Sequence, residues 1–319
     1  MKNPALERQI ALYKAEGASD EEIAKRVSYL NFSPHIYPSI SLEERLVAVC
    51  TGEFYAVPWP WQGMNTLCQS LTPGAVTVFV GGVGASKSFS ILQCINYWTT
   101  IGERCCVLEI EKSRDYHMHR MLAQLEDNGD ITDLKWCKEN PFEVKAAADK
   151  HREWLNIVGH AIHCAQLGVV TYEAVLGWIQ DRCEDGNRIV VVDPITAAKP
   201  NGRPYEADLE FMAKVQEFAV TYKASIVVVS HPAKDFAKPD IGTISGGTAI
   251  GRFIDCALWL ESVKPDDVTV YGPCGRHQVH INRVLHLLKV RDGRGQGMQD
   301  GMFFSGGSLK LEEMGIIIE

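Results

Sequence analysis

The feature of this sequence that most restricts its fold is a glycine-rich segment between a strand-like run and a helix-like run. Residues 75–80 are mostly apolar, as in a buried strand, and a helix is predicted from Lys87 to about Thr99. In this context the pattern G-x-x-x-x-G-K-[S/T] is typical of a loop whose inward-pointing N–H groups bind nucleotide phosphates. The predicted phosphate-binding residues are Gly81, Gly82, Val83, Gly84, Ala85, Ser86, Lys87 and Ser88.

Two side chains of this phosphate loop have predicted roles of their own. Lys87 is expected to reach the β- and γ-phosphates, and the Ser88 hydroxyl is expected to hold Mg²⁺. Ser86 stands where glycine is usual, a departure that concerns the rate of hydrolysis more than nucleotide binding. The predicted cofactors are therefore ATP, or another NTP, and Mg²⁺.

The rest of the chain alternates between strand and helix patterns. The β-branched runs at 189–192 and 226–229 are typical of buried parallel strands, and residues 206–223 have helical spacing of apolar residues. A length of 319 residues with 46% hydrophobic composition suits one large domain with a small extension. The sequence therefore predicts an α/β fold with a mostly parallel central sheet flanked by helices.

The first 45 residues have a different character. Two short helices are predicted between residues 4 and 29, the second beginning at a capping box, Ser19–Glu22. Two prolines mark residues 30–45 as a linker. We therefore predict a helical extension and linker over residues 1–45 and an ATPase core over residues 46–319.

Polar residues follow three of the predicted strands at one edge of the sheet. Asp193 ends the run 189–192 and is predicted to organise Mg²⁺ from a strand neighbouring the loop. His231 follows the run 226–229 and is predicted to sense the γ-phosphate. Glu109 and Glu111 end a further strand, and side chains two residues apart in a strand share a face. Spacing alone therefore leaves both open as the residue that activates or orients water.

Several further motifs follow the phosphate loop in an order that is more telling than any one of them. In this order the chain resembles, over about residues 46–310, the RecA-like hexameric replicative helicases: DnaB, the helicase half of phage primase–helicases, Twinkle and plasmid RepA. A departure is Arg252, where that family commonly has glutamine. The motifs are residues 108–111, Arg120 to Leu122, residues 191–194, residues 229–232, residues 244–250 with Asp255, and residues 287–291 with Gly293 and Gly295.

The resemblance implies a RecA-like P-loop NTPase core that works as a ring, as the helicase or single-stranded DNA translocase of a phage or plasmid. Counting back from Arg120 places Glu111 on the family's catalytic glutamate. It also makes Arg291 an arginine finger and Lys289 its companion, both reaching the nucleotide of a neighbouring subunit. Such a finger stabilises transition-state charge, so hydrolysis would depend on assembly.

The resemblance also implies loops that grip DNA in a central channel. Residues 199–205 and 233–242 are rich in glycine, proline and basic residues, which is typical of exposed loops. We therefore predict DNA contacts by Lys234 and Lys238, and by Arg203 as a secondary candidate. Because the net charge is −8, positive charge must be concentrated locally. The implied partners are further copies in a hexamer, single-stranded DNA, and a primase, polymerase or loader.

Two alternative functions remain open at this level. One is a RecA/RadA-type recombinase that forms filaments on DNA. The other is a regulatory or scaffold ATPase without unwinding, which the acidic charge and the Ser86 and Arg252 departures favour. The sequence has neither an apolar N-terminal core nor an uncharged apolar run approaching ~18 residues, so we expect no membrane contact and a cytoplasmic location.

Overall fold

A computed structural model of the chain describes residues 42–165, 168–233, 238–273 and 275–318, with a few positions before residue 24. By its internal contacts the chain divides into Met1–Val47 and Ala48–Glu319. In the first unit, the Ser19 backbone N–H donates to Glu22 Oε2 over 3.1 Å, and the Glu22 N–H donates to Ser19 Oγ over 3.3 Å. This is the reciprocal pattern of the predicted capping box. Most of the predicted N-terminal helices lie outside the described residues.

The secondary structure alternates as the sequence patterns predict. The helices are α1 (Leu42–Cys50), α2 (Gln62–Leu67), α3 (Lys87–Thr100), α4 (Arg114–Leu125), α5 (Leu134–Glu139), α6 (Pro141–Lys150), α7 (Arg152–Ala161), α8 (Tyr172–Glu184), α9 (Pro204–Tyr222) and α10 (Gly247–Phe253). The strands are β1 (Val76–Gly81), β2 (Cys105–Glu109), β3 (Ile162–Cys164), β4 (Ile189–Asp193), β5 (Ser225–Ser230), β6 (Cys256–Gly272), β7 (Gly275–Val290), β8 (Gln299–Ser305) and β9 (Lys310–Ile317).

Within the described residues these strands form one sheet in the order β3-β2-β4-β5-β1-β6-β7-β8-β9. Neighbours from β3 to β6 pair in parallel, and those from β6 to β9 pair antiparallel. The predicted α/β fold with a mostly parallel sheet is therefore confirmed. Since β1, β2, β4 and β5 run in parallel, the residues at their carboxyl ends gather at one edge.

Each face of the sheet carries its own apolar core, because alternate residues of a strand point to opposite faces. Val191 packs into one core, and Val190 and Val192 pack into the other. Helices α3, α4 and α7 cover the first face, and α8, α9 and α10 cover the second. Both faces of the central strands are thus excluded from water, as parallel sheets require. Among the described residues, no helix has the length and apolarity needed to cross a bilayer.

The sequence prediction was incomplete at three places. The single helical stretch expected from Arg114 to about Arg152 is broken into α4, a 3₁₀ turn, α5 and α6. Strand β3 was not predicted. Strands β6 and β7 form a hairpin of 17 and 16 residues, far longer than the predicted segments. Pro265 falls where the pairing shifts register between Ser262 and Asp266, and proline is tolerated there because it has no N–H to donate.

Candidate nucleotide-binding site

The phosphate loop joins the end of β1 to the start of α3, as predicted. A Cβ atom on Gly81 would lie 2.7 Å from the carbonyl oxygen of Leu260, so only glycine fits against β6 there. Gly84 has a φ of +77°, a value that favours glycine. Ser86 has a φ of 74° and a ψ of 20°, a left-handed conformation that costs a non-glycine residue about 1–2 kcal/mol. The serine that replaces the usual glycine therefore needs a compensating contact.

Lys87 lies at the centre of the site. Its side chain is buried, and Nζ donates to the carbonyl oxygens of Gly81 and Gly82 over 2.6 and 3.0 Å. Burial lowers the pKa of Lys87, while the carboxylates of Asp193 and Glu111 act in the opposite direction. Both predicted acidic residues therefore lie within electrostatic range of the lysine that is expected to meet the phosphates.

Asp193 ends β4, and the strand predicted to neighbour the loop is in fact one strand further away. Strand β5 lies between β4 and β1, so that part of the prediction was wrong. The loop nevertheless leads Ser88 back towards Asp193, and the two side chains hydrogen bond. Burial raises the pKa of Asp193 to about 6, although Ser88 and Lys87 act to lower it.

The two oxygen donors fit a magnesium ion. Asp193 Oδ2 is fully buried and has no hydrogen-bond partner among the described residues. A carboxylate and a hydroxyl are hard oxygen ligands of the kind that Mg²⁺ prefers. Asp193 and Ser88 could therefore hold Mg²⁺ beside a nucleotide phosphate.

Glu109 and Glu111 have different surroundings although they are two residues apart. Glu109, the last residue of β2, is 2% exposed, and its Oε2 lies 3.2 Å from Nε2 of His117. Burial raises the pKa of Glu109 well above its usual value and lowers that of His117 to about 4, so both groups favour their uncharged forms. The strand ends before Glu111, which is exposed and acts electrostatically on Lys87 and Asp193. Of the two, Glu111 has the access to water that a catalytic base needs.

His231 follows β5 at the same edge. Its Nδ1 lies 2.6 Å from Thr196 Oγ1, so the ring is held in one orientation. Burial lowers its pKa, with further effects from Lys87 and Glu111. The imidazole is therefore near the same lysine and carboxylate, and its neutral form is favoured.

Lys289 and Arg291 lie at the opposite edge of the sheet. Arg291 Nη1 forms a 2.9 Å ion pair with Asp255 Oδ1, and Asp255 Oδ2 accepts from the backbone N–H of Val76 at the start of β1. The phosphate loop follows the other end of β1, five residue steps of about 3.3 Å away, or about 16 Å. Lys289 Nζ donates to the carbonyls of Gly251 and Ile254. These two cations are not brought together with the phosphate loop of their own chain.

The candidate DNA-binding residues follow the strand ends near the site. Arg203, at the start of α9, has 85% of its side chain exposed and lies 3.5 Å from Glu206. Lys238 is exposed in the segment after β5. Lys234 lies outside the described residues. Both loops leave the sheet at the edge that carries Asp193 and His231.

Three side chains near the site were not found from the sequence. Arg283 of β7 contacts the phosphate loop, Thr196 bonds His231, and His117 contacts Glu109. No local motif marks Arg283, because its position depends on the pairing of the long hairpin. His117 follows the second strand by eight residues and was noted only as part of a histidine-containing run.

Comparisons with known proteins place the fold. No protein-family model and no curated protein matches the chain significantly. Among solved structures, one reported as a DnaB-like replicative helicase and its interactions with primase is similar with a TM-score of 0.62 and 11% identity, over 96% of this chain and 74% of that one. The ATPase domain of a phage helicase is similar with a TM-score of 0.66 and 11% identity, over 88% of this chain and 100% of that one. The resemblance is thereby confirmed for the architecture: this chain has the fold of a DnaB-like helicase ATPase domain.

Proposed function

We propose that the chain is an ATP-hydrolysing, ring-forming DNA helicase or single-stranded DNA translocase whose hydrolysis takes place between subunits. The observation that carries the proposal is the separation of two half-sites. Lys87, Ser88, Asp193, Glu111 and His231 gather at one edge of the sheet, whereas Lys289 and Arg291 lie about 16 Å away at the other edge.

This separation argues for assembly. An arginine side chain does not span the length of β1, so Arg291 cannot serve the phosphate loop of its own chain as a finger. A second copy packed head to tail would present its Arg291 edge to the loop edge of the first. Repeated heterologous contacts of this kind close into rings, or continue as filaments when they do not close.

Each residue of the loop edge has a role that its surroundings support. Loop amides and Lys87 would bind the phosphates, and Ser88 with Asp193 would hold Mg²⁺, which supplies charge neutralisation at the phosphates when bound. Glu111 would accept a proton from the attacking water. His231, oriented by Thr196, would donate or accept at the γ-phosphate, and its loop continues towards Lys238.

The same loops support a link to DNA. Because Lys238 and Arg203 are exposed on segments that follow β5 and β4, a change at the γ-phosphate has a short covalent path to them. A few cations of this kind give sequence-tolerant and salt-dependent binding to the phosphate backbone. Lys234, in the same segment as Lys238, belongs to the proposed contact on sequence grounds alone.

Two measurements test the proposal together. Steady-state ATP hydrolysis is compared with and without single-stranded DNA, and particles are imaged with an ATP analogue and DNA. Stimulation by DNA and closed rings are expected. Hydrolysis that ignores DNA, with no assembly, would contradict the proposal and favour a scaffold ATPase, and open filaments would favour the recombinase alternative.

A further inference from the structure

Arg283 holds the phosphate loop of its own chain. Its Nη2 donates to the carbonyl oxygen of Gly84 over 3.2 Å and to the Ser86 hydroxyl over 3.1 Å. Its Nε donates to the carbonyl oxygen of Ala85 over 3.3 Å. One guanidinium thus contacts three consecutive residues of the loop, using the fixed fork of donors that only arginine has.

The guanidinium is itself held in place by the strands around it. Nη1 of Arg283 donates to the carbonyl oxygen of Asn282 over 2.8 Å, and the group lies over the ring of Phe304 at 5.4 Å. The Asn282 side chain is fixed in turn, because it donates to the Phe304 carbonyl and accepts from the Phe304 N–H. The half-buried arginine therefore has its orientation set before any ligand arrives.

The contact to two carbonyls controls the N–H groups that face the phosphates. A trans peptide unit is planar, and its C=O and N–H point in opposite directions. Holding the Gly84 carbonyl outwards therefore turns the N–H of Ala85 inwards, and holding the Ala85 carbonyl does the same for the N–H of Ser86. Inward amides of this kind form the anion-binding concavity of the loop.

Ser86 ties the arginine to the unusual loop sequence. A Cβ atom disfavours the left-handed conformation that Ser86 adopts, with a φ of 74°. The hydroxyl that comes with this Cβ accepts a hydrogen bond from Arg283, which opposes the strain. The serine and the arginine therefore act as a pair.

We infer that Arg283 is a positioning residue for nucleotide binding: it sets the amides of the phosphate loop and stabilises the left-handed Ser86. The inference rests on the proposed function, since its ligand is a nucleoside triphosphate with Mg²⁺. It assigns a role in the same subunit to β7, the strand that ends next to the proposed finger Arg291.

The test is a double-mutant cycle on Arg283 and Ser86, read by equilibrium binding of a fluorescent ATP analogue with Mg²⁺. Arg283→Met is expected to weaken binding by at least about tenfold, which corresponds to about 1.4 kcal/mol. In a Ser86→Gly background the same change should cost at most about threefold, because glycine adopts the left-handed conformation without help. A purely structural role of Arg283 against Phe304 would not be relieved by a glycine in the loop.

Matched variants separate this role from a loss of charge or of folding. Arg276→Met removes an exposed cation from the same strand and should leave binding unchanged. Arg283→Lys keeps the charge without the fork and should weaken binding in the same direction, so it replaces Arg283→Met if that variant does not fold. Equal loss in both Ser86 and Ser86→Gly backgrounds, or no loss in either, would overturn the inference while leaving the proposed function intact. Failure of the unaltered chain to bind would overturn both.

Discussion

Replacing Glu111 with glutamine tests which of two carboxylates activates water. Glu111 is exposed beyond the end of β2 and acts on Lys87 and Asp193, whereas Glu109 is buried against His117. Loss of a general base lowers turnover by about 10²–10⁴-fold, so this is the expected drop in kcat for Glu111→Gln. Since glutamine removes a negative charge beside the phosphate site, ATP binding should stay equal or become tighter.

Glu109→Gln is the matched control. The raised pKa of Glu109 favours its protonated form, and an amide resembles that form in shape and in its ability to donate to His117. We therefore expect kcat to change by no more than about threefold, with folding retained. Both variants are assayed by steady-state ATP hydrolysis with saturating single-stranded DNA and by equilibrium ATP binding. A Glu111→Gln protein with near-normal kcat, or an equal loss in Glu109→Gln, would refute the assignment.

Two further predictions concern stability. Burial and the neighbouring Glu313 raise the pKa of Asp300 to about 9, so folding takes up a proton and stability falls as pH rises from about 4 to about 9, by at most about 1.4 kcal/mol per pH unit. Asp300→Asn should remove this loss, so its melting temperature should exceed that of the unaltered chain increasingly towards pH 9; a constant difference across pH would be contrary evidence. Gly293→Ala would place a Cβ 2.3 Å from the Leu67 carbonyl at a φ of +149° and should cost at least about 2 kcal/mol in chemical unfolding. Gly177→Ala in α8 meets no atom within 4 Å and should stabilise by about 0.5–1 kcal/mol, so equal effects of the two would contradict the packing.

The central sheet and its loop edge could be predicted because their signals are local. Runs such as 189–192 carry β-branched residues for burial on both faces, and the loop pattern between β1 and α3 has a specific context. Asp193 and His231 could be placed at the loop edge by the rule that parallel strands end together. The neighbour order could not, since nothing local says that β5 lies between β4 and β1.

The parts that were missed depend on distant contacts. The outer half of the β6–β7 hairpin is largely exposed and contains Pro265, so it lacks the apolar run of a buried strand. Arg283 acquires its role only because this hairpin places it beside the loop. Glu109 and Glu111 could not be separated by spacing, because their difference comes from where β2 ends and from the burial of His117. The roles of the site residues, and the boundary near residue 45, stay predictions.

Mixed assembly of two inactive variants tests the shared site most directly. Arg291→Ala keeps the phosphate loop and lacks the finger, whereas Lys87→Ala lacks the loop lysine and keeps the finger. In a random equal mixture, about a quarter of head-to-tail interfaces would join an intact loop to an intact finger. The account predicts that each variant alone is inactive and that ATP hydrolysis returns to about a quarter of the unaltered rate on mixing. A mixture as inactive as its components, in particles shown to contain both variants, would contradict it.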